Sequence, residues 1–287
     1  MSSSGTIWVT GANGQLGKEL QELAPLHPDF NFIFTTRTQV PIHDEQEVNN
    51  FLRDNTVNIC INAAAYTAVD LAEQERELAM QINGTAVGKL AAACKVHGVR
   101  FLHVSTDYVF NGGGKVPYKE KDATDPVNYY GQTKLMGEQL ALKENPDCII
   151  VRTSWVYSCF GKNFVKTMLR LMSEKESIGV VSDQFGCPTY AADLAEAVFR
   201  LSTSNAAPGI YHYCNMGEIS WFDFACAIKD LSGSSCKVNA IKTTDFHTPA
   251  RRPAYSALDT SKIRNQTGLV IPNWKESLAT CIQSLQH

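Results

Sequence analysis

The stretch T-I-W-V-T-G-A-N-G-Q-L-G, residues 6 to 17, decides the fold. Thr6 to Thr10 reads as a buried strand that runs straight into glycines at positions 11, 14 and 17, with helical spacing continuing through Leu23. A sharp strand-to-helix turn needs backbone angles that a Cβ disfavours. A pyrophosphate can approach the backbone only where no side chain intervenes, and the last glycine lets helix and strand pack closely. The free N–H groups and partial positive charge at the helix start then favour an anion. A glycine triad alone is a weak signal. With a strand before it and a helix after it, this one reads as a dinucleotide cradle formed by Gly11, Asn13, Gly14, Gln15, Leu16 and Gly17. The competing reading is a glycine-rich turn that holds no ligand.

Outward from that turn, strand and helix patterns alternate. Strands are expected at residues 31–36, 58–62, 100–105 and 147–152, with helices at 45–55, 75–97 and 129–144 between them. Repeated β-then-α order implies parallel strands with right-handed crossovers and helices on both faces. The expected fold class is therefore α/β: a Rossmann-type doubly wound parallel sheet with a smaller C-terminal substrate-binding lobe. After Arg152 the alternation weakens. Helices are expected at 163–173, 192–202, 220–231 and 275–286, with strands at 178–182 and 211–214. The division expected is a dinucleotide-binding unit over 1–152 and a mainly substrate-binding lobe over 153–287, with segments that return to the sheet.

Composition narrows the class. The chain has 287 residues, 44% hydrophobic and 19% charged, with a net charge of -3. That balance offers no basic surplus for nucleic acid or an anionic membrane. No apolar run is long enough to span a bilayer. The N-terminus, MSSSGTIWVTG, has neither a charged leader nor a cleavable apolar stretch, so no secretory signal is expected. Nine scattered cysteines without C-x-x-C or metal-ligand spacing read as reduced thiols, which points to the cytoplasm.

Further motifs carry the chemistry. The second strand ends Thr35-Thr36-Arg37 without a carboxylate for a ribose hydroxyl. Arg37 either meets a 2′-phosphate, which favours NADPH over NADH, or is a solvated loop arginine. Asp44 is a candidate for the adenine side, and the Ala63-Ala64-Ala65 turn has small side chains where a cofactor must pass. Tyr130 and Lys134 form a Y-x-x-x-K pattern at a helix start, and a spacing of four places both on one face. A nearby ammonium stabilises a phenolate, so the tyrosine can exchange a proton with a carbonyl oxygen. A third hydroxyl is expected at the C-terminal end of the fourth strand, where Ser105 and Thr106 both qualify.

Together the segments GANGQLG (11–17), NAAAYTAVDLAE (62–73), STDYVFNG (105–112), YYGQTKLMGE (129–138), RTSWVYS (152–158), DQFGCPTYAADLA (183–195) and RRPAYSALDTSKI (251–263) resemble the dTDP-4-dehydrorhamnose reductases, a family of extended short-chain dehydrogenases/reductases. The resemblance covers nearly the whole chain. It implies reduction of dTDP-4-dehydro-β-L-rhamnose with NADPH, or NADH, in dTDP-rhamnose biosynthesis. It selects Thr106 as the catalytic hydroxyl, with Tyr130 as general acid and Lys134 as its partner. It implies sugar and substrate contacts at Thr67, Val69, Tyr108 and Trp155, the last as a flat apolar wall, and a diphosphate contact at Arg252. Arg252 also reads as a surface arginine before a proline. Some members pair through a glutamate-bound metal. Glu19 matches one such position, but Ala192 stands where a second glutamate is expected, so no metal and a monomer or weak homodimer are expected. Two rivals remain: another nucleotide-sugar 4-reductase or epimerase, and a non-catalytic subunit like the regulatory subunit of methionine adenosyltransferase.

Overall fold

A computed structural model describes residues 5–286. Residues 1–4, part of the N-terminal segment read above, and residue 287 lie outside that range. The elements follow in order: β1 (Gly5–Thr10), α1 (Gln15–Leu23), β2 (Phe30–Thr35), α2 (Glu45–Asp54), β3 (Ile59–Asn62), α3 (Arg76–Met80), α4 (Ala86–Val96), β4 (Arg100–Thr106), α5 (Tyr129–Glu144), β5 (Ile149–Thr153) and β6 (Val156–Tyr157). Then come α6 (Phe164–Glu174), β7 (Ser177–Val181), β8 (Phe185–Gly186), β9 (Thr189–Tyr190), α7 (Ala191–Thr203), β10 (Gly209–His212), β11 (Ile219–Ser220), α8 (Trp221–Ser232), β12 (Lys237–Ile241), α9 (Ser261–Thr267) and α10 (Trp274–Gln286).

Six strands form one parallel sheet in the order β2-β1-β3-β4-β5-β10. Side chains alternate across it, as the two-residue period of a strand requires. Ile7, Val9, Ile61, Leu102 and Val151 pack on one face against Leu16 and Leu20 of α1 and Leu194, Val198 and Leu201 of α7. Trp8, Cys60, Phe101 and Ile150 pack on the other against Val48 and Leu52 of α2, Leu90 and Cys94 of α4, and Ala141 of α5. The buried Trp8 indole N–H donates to Thr35 Oγ1 at 2.8 Å, so it leaves no unmet donor. Strand order reverses between β1 and its neighbours β2 and β3, which opens a crevice at their C-terminal ends.

The single helix expected over 75–97 is instead α3 and α4 joined by a wider π-turn at Gln81–Thr85. Such turns add a residue and push a carbonyl outward. Here Asn83 O comes so close to α5 that a Cβ on Gly137 would sit 2.1 Å from it. The Asn83 amide meanwhile accepts from Tyr66 N at 2.8 Å and donates to Tyr66 O at 2.9 Å, pinning the loop after β3.

The second lobe has its own core, in which Tyr157, Met168, Met172, Phe224, Ile228, Trp274 and Leu278 join α6, α8 and α10. Three two-stranded ribbons edge it: β7 with β12 (parallel), β6 with β9 (parallel) and β8 with β11 (antiparallel). Within residues 153–287, α7 and β10 belong to the main sheet, since β10 pairs with β5 from Gly209↔Ile149 to His212↔Arg152. Among the described residues no helix is long and apolar enough to cross a membrane.

Candidate active site

The glycines of the cradle do different jobs. A Cβ on Gly17 would lie 2.3 Å from Gly11 O, so this position sets how closely α1 seats on the turn. Gly11 has φ +71°, and a Cβ there would press on Ala64 N at 2.7 Å, locking the turn against the end of β3. A Cβ on Gly14 would meet only Gly11 O, at 3.3 Å, and the residue itself is exposed. Gly14 also caps α1 without any side-chain acceptor. The first-turn N–H groups therefore remain free for an anion. This shape fits a dinucleotide pyrophosphate. Asn13 is exposed beside it, while the Leu16 side chain lies in the core and only its backbone faces the turn. The Gln15 side chain accepts from Asn163 Nδ2 at 2.9 Å and reaches Val156 O at 3.4 Å, tying the cradle to the second lobe.

Ala63, Ala64 and Ala65 stand beside the cradle, half-buried. Arg37 is exposed two residues beyond β2. Asp44 serves the fold locally, since its carboxylate accepts from Gln46 N and Glu47 N at 3.1 Å and caps α2.

The fourth strand and α5 bring the expected catalytic residues, Thr106, Tyr130 and Lys134, to one place. Asn128 caps α5 by accepting from Gly131 N at 2.8 Å, and Tyr129 N donates to Glu73 Oε1 at 2.8 Å. A Cβ on Gly131 would sit 2.2 Å from Tyr108 O, so the glycine lets the first turn of α5 press against residues 106–108. Tyr130 and Tyr108 consequently meet edge to face, with ring centroids 5.9 Å apart. Thr106 Oγ1 donates to Asp107 Oδ1 at 3.0 Å and accepts from Tyr108 N at 3.2 Å. Ser105, the alternative hydroxyl, is buried without a hydrogen-bond partner.

The electrostatics differ from the expected picture. Burial pushes the Tyr130 phenol above its ordinary range, the nearby Asp107 carboxyl adds to the rise, and the Thr106 hydroxyl opposes it. The Lys134 ammonium is bonded inward. Its Nζ donates to Val104 O at 2.7 Å and lies 3.3 Å from His103 Nε2. Burial brings Lys134 down to about 8, and Glu138 pulls it back up. Burial raises Asp107 to about 7, against the neighbouring Ser256 and Thr106 hydroxyls; Thr106 bonds its Oδ1 and Oδ2 has no partner. A phenol with a raised pKa keeps its proton at neutral pH, which is what a general acid requires before the transfer step.

At the rim, Thr67 is exposed and Val69 half-buried on the loop after β3. Trp155 adopts φ +48°, a strained backbone for a bulky residue. One face of its ring is covered by Trp221, stacked at 3.5 Å and 8° from parallel. A Cβ on Gly186 would lie 2.7 Å from the same indole. The flat wall expected of Trp155 is thus already packed against its own chain. Arg252 holds a bidentate pair with Asp70, Nη1 to Oδ1 at 2.6 Å and Nη2 to Oδ2 at 2.8 Å, and also donates to Ala250 O. The Arg252 guanidinium holds the Asp70 carboxyl below the usual range.

Sequence reading missed Asp107, Asp70, Glu138, His103 and Trp221. His103 and Asn62 had a visible signal, since each is a polar residue inside an otherwise apolar strand, FLHV and ICIN. Asp70 and Trp221 had none.

With this geometry in place, the chain compares closely with known proteins. The RmlD substrate binding domain family matches residues 5–287. The chain belongs to the RmlD family. A family relative named dTDP-4-dehydrorhamnose reductase, from Sinorhizobium fredii, is 41% identical over 96% of each chain. The crystal structure of a dTDP-4-dehydrorhamnose reductase from Clostridium acetobutylicum superposes with a TM-score of 0.94 at 40% identity, covering 98% of this chain and 100% of that one. The Bacillus anthracis reductase, solved in complex with NADP, gives a TM-score of 0.94 at 38% identity over 99% and 100%. Glu19, the glutamate singled out in the sequence, is buried and accepts from Ser158 Oγ at 2.6 Å.

Proposed function

We propose that this protein reduces dTDP-4-dehydro-β-L-rhamnose to dTDP-β-L-rhamnose with NADPH, as an oxidoreductase of dTDP-rhamnose biosynthesis. One observation carries the reading: Thr106, Tyr130 and Lys134 converge at the end of β4, close to an open glycine cradle at the ends of β1 and β3. The RmlD relatives, one of them bound to NADP, support both the substrate class and the cofactor. The non-catalytic rival offers no reason for a protonated phenol held beside a buried lysine.

In the reaction the bound reduced nicotinamide supplies a hydride. Tyr130 holds the proton that passes to the 4-oxygen as that oxygen gains negative charge during reduction of the carbonyl. Thr106 turns its hydroxyl towards Tyr130 and Asp107 and steadies the carbonyl oxygen. Lys134 keeps the positive charge under the site that favours the negative charge developing there. The cradle Gly11, Asn13, Gly14, Gln15, Leu16 and Gly17, with Ala63 to Ala65, binds the cofactor, and Arg37 takes its 2′-phosphate. Thr67, Val69, Tyr108 and the free edge of Trp155 contact the sugar, while Arg252 faces the diphosphate. Residues 1–152 thus carry the cofactor and most of 153–287 the sugar nucleotide. The protein works in the cytoplasm as a monomer or weak homodimer.

The direct test is turnover. Purified protein is incubated with dTDP-4-keto-6-deoxyglucose, the matching 3,5-epimerase and either NADPH or NADH, and the reduced-nicotinamide absorbance is followed. Epimerase-dependent loss of the band, faster with NADPH, is expected. No net oxidation with either cofactor would overturn the reading, and an epimerase would behave that way.

A further inference from the structure

Beneath the reacting groups lies a buried polar chain of which the reaction uses only the first member, Lys134. It runs Lys134–His103–Asn62–Thr10, from α5 through β4 and β3 to β1. Lys134 Nζ is 3.3 Å from His103 Nε2, His103 Nδ1 is 3.0 Å from the Asn62 side-chain amide, and that amide is 2.7 Å from Thr10 Oγ1. All four residues are at most 2% exposed. Polar groups in such a place persist only when each is matched, and a matched buried network fixes geometry.

We infer that His103 is a positioning residue for the reductase chemistry: its neutral imidazole accepts a hydrogen bond from the Lys134 ammonium and, through Asn62 and Thr10, ties that lysine to the strand ends bearing the cofactor cradle. The inference rests on the reductase reading above.

Donor and acceptor accounting carries it. Burial, followed by the charge of Lys134, holds the His103 imidazole well below its usual range, so the ring is neutral and carries one proton. The ammonium has three protons. One goes to Val104 O at 2.7 Å, one lies towards His103, and the third is left for the site. For Nε2 to accept, Nδ1 must carry the ring proton and donate to the Asn62 amide oxygen. The two ends of an amide are near-isosteric, so the surrounding bonds decide which faces the ring. The structure sets Asn62 Nδ2 towards His103 Nδ1 and Oδ1 towards Thr10 Oγ1 and Ala64 N; turning the amide over gives its oxygen to His103 and its NH₂ to Thr10 Oγ1, while Ala64 N, 3.3 Å from that same hydroxyl, keeps an acceptor. The reverse arrangement aims Nε2–H at Lys134 and demands a neutral amine. Val104 O at 2.7 Å and Glu138 one helical turn along both favour the cation instead.

The network also links the two halves of the site. Thr10 precedes the first cradle glycine, and Asn62 precedes Ala63 and Ala64. Lys134 is therefore placed by the same strand ends that place the cofactor.

The titratable and charged groups around this lysine are few. Tyr130 and Glu138 share α5 with it, and His103 stands on β4. Arg152 on β5 acts through Glu138, and Asp107 just past β4 faces Tyr130.

The test uses the full-length protein with His103→Leu and His103→Gln, each first checked for native folding by circular dichroism. In NADP-loaded wild type, ¹⁵N NMR of the imidazole should show the Nδ1-protonated tautomer, without titration between about pH 5 and 9. NADPH-dependent turnover is then measured against pH. His103→Leu removes an acceptor that favours the cation, so the basic limb should move down by about one pH unit and kcat should fall about tenfold. Glutamine offers an oxygen to Lys134 and an NH₂ to Asn62, so His103→Gln should restore most of both. An Nε2-protonated tautomer, or a basic limb that rises or stays fixed in folded His103→Leu, overturns the inference. Should wild type itself fail to oxidise NADPH, the reductase reading fails, while the tautomer still decides for or against the brace.

Discussion

At the floor of the cleft, Lys134, His103, Asn62 and Thr10 bond to one another across three adjacent strands and the start of α5. At the rim, Asp70 and Arg252 meet across 182 positions of chain, half-exposed and in reach of solvent. The floor is dry, and its groups have one set of partners. The rim groups keep water available as an alternative partner. Charge in the two regions therefore has different consequences. A buried group that loses its partner costs several kcal/mol, whereas an exposed one is largely compensated by solvent. The floor accordingly suits the fixed geometry of proton transfer, and the rim suits a ligand that must enter and leave.

The largest expected effect breaks the floor at its reacting end. Tyr130→Phe keeps the ring but removes the proton, so turnover should fall by roughly 10²–10⁴ while NADPH affinity stays nearly intact. Near-normal single-turnover rates in that variant would remove the tyrosine from the chemistry.

Next comes the ion pair behind Lys134. Glu138 and Arg152 are bonded at 2.7 and 2.9 Å with side chains 2% and 3% exposed. Glu138→Gln strands a buried guanidinium and should cost about 3–5 kcal/mol in denaturant unfolding. The exposed pair Arg170–Glu174, on α6, is the control, and Arg170→Ala should cost roughly 0.5 kcal/mol or less. Equal losses in the two variants would erase the contrast between dry and wet charge.

At the rim, Arg252→Ala should raise KM for the sugar nucleotide about tenfold, with kcat changed far less, because a charge-assisted bond to a diphosphate contributes binding rather than chemistry. A fall in kcat at constant KM would place Arg252 in the chemical step instead.

The smallest expected effect sharpens the border between the regions. Burial raises the Asp107 carboxyl to about 7 in the fold, against about 3.9 when unfolded. A raised acid binds more protons folded than unfolded, so its contribution is fullest below about pH 4 and is lost as pH climbs through 7. Asp107→Asn should therefore raise Tm more at pH 8 than at pH 5, by a few degrees, roughly 2–4 °C per kcal/mol. An equal change at both pH values would mean the carboxyl is ionised throughout.

Much of the parallel sheet was legible in the chain because its signals are local. The apolar strand at 6–10, the glycine turn and the helix start at Tyr129 each announce themselves within a few residues, and Tyr129–Glu144 appears with those very limits. The second lobe was harder. β12 was missed because KVNAI alternates weakly, and its pairing with β7 is made some 60 residues away. The π-turn at 81–85 was invisible because its helical pattern continues unbroken; only the approach of Asn83 O to Gly137 reveals why the turn widens. The capping role of Asp44 follows from its place one residue before α2, a position that favours a side-chain acceptor.

By itself, the order of residues determined the sheet, the open cradle and the identity of the tyrosine–lysine pair, because spacing along one strand or one helix places those groups. Only the tertiary structure decided which way Lys134 points, what it rests upon, and which partner Arg252 holds. Those facts depend on burial and on neighbours brought together from different strands, and one-dimensional spacing carries no record of either.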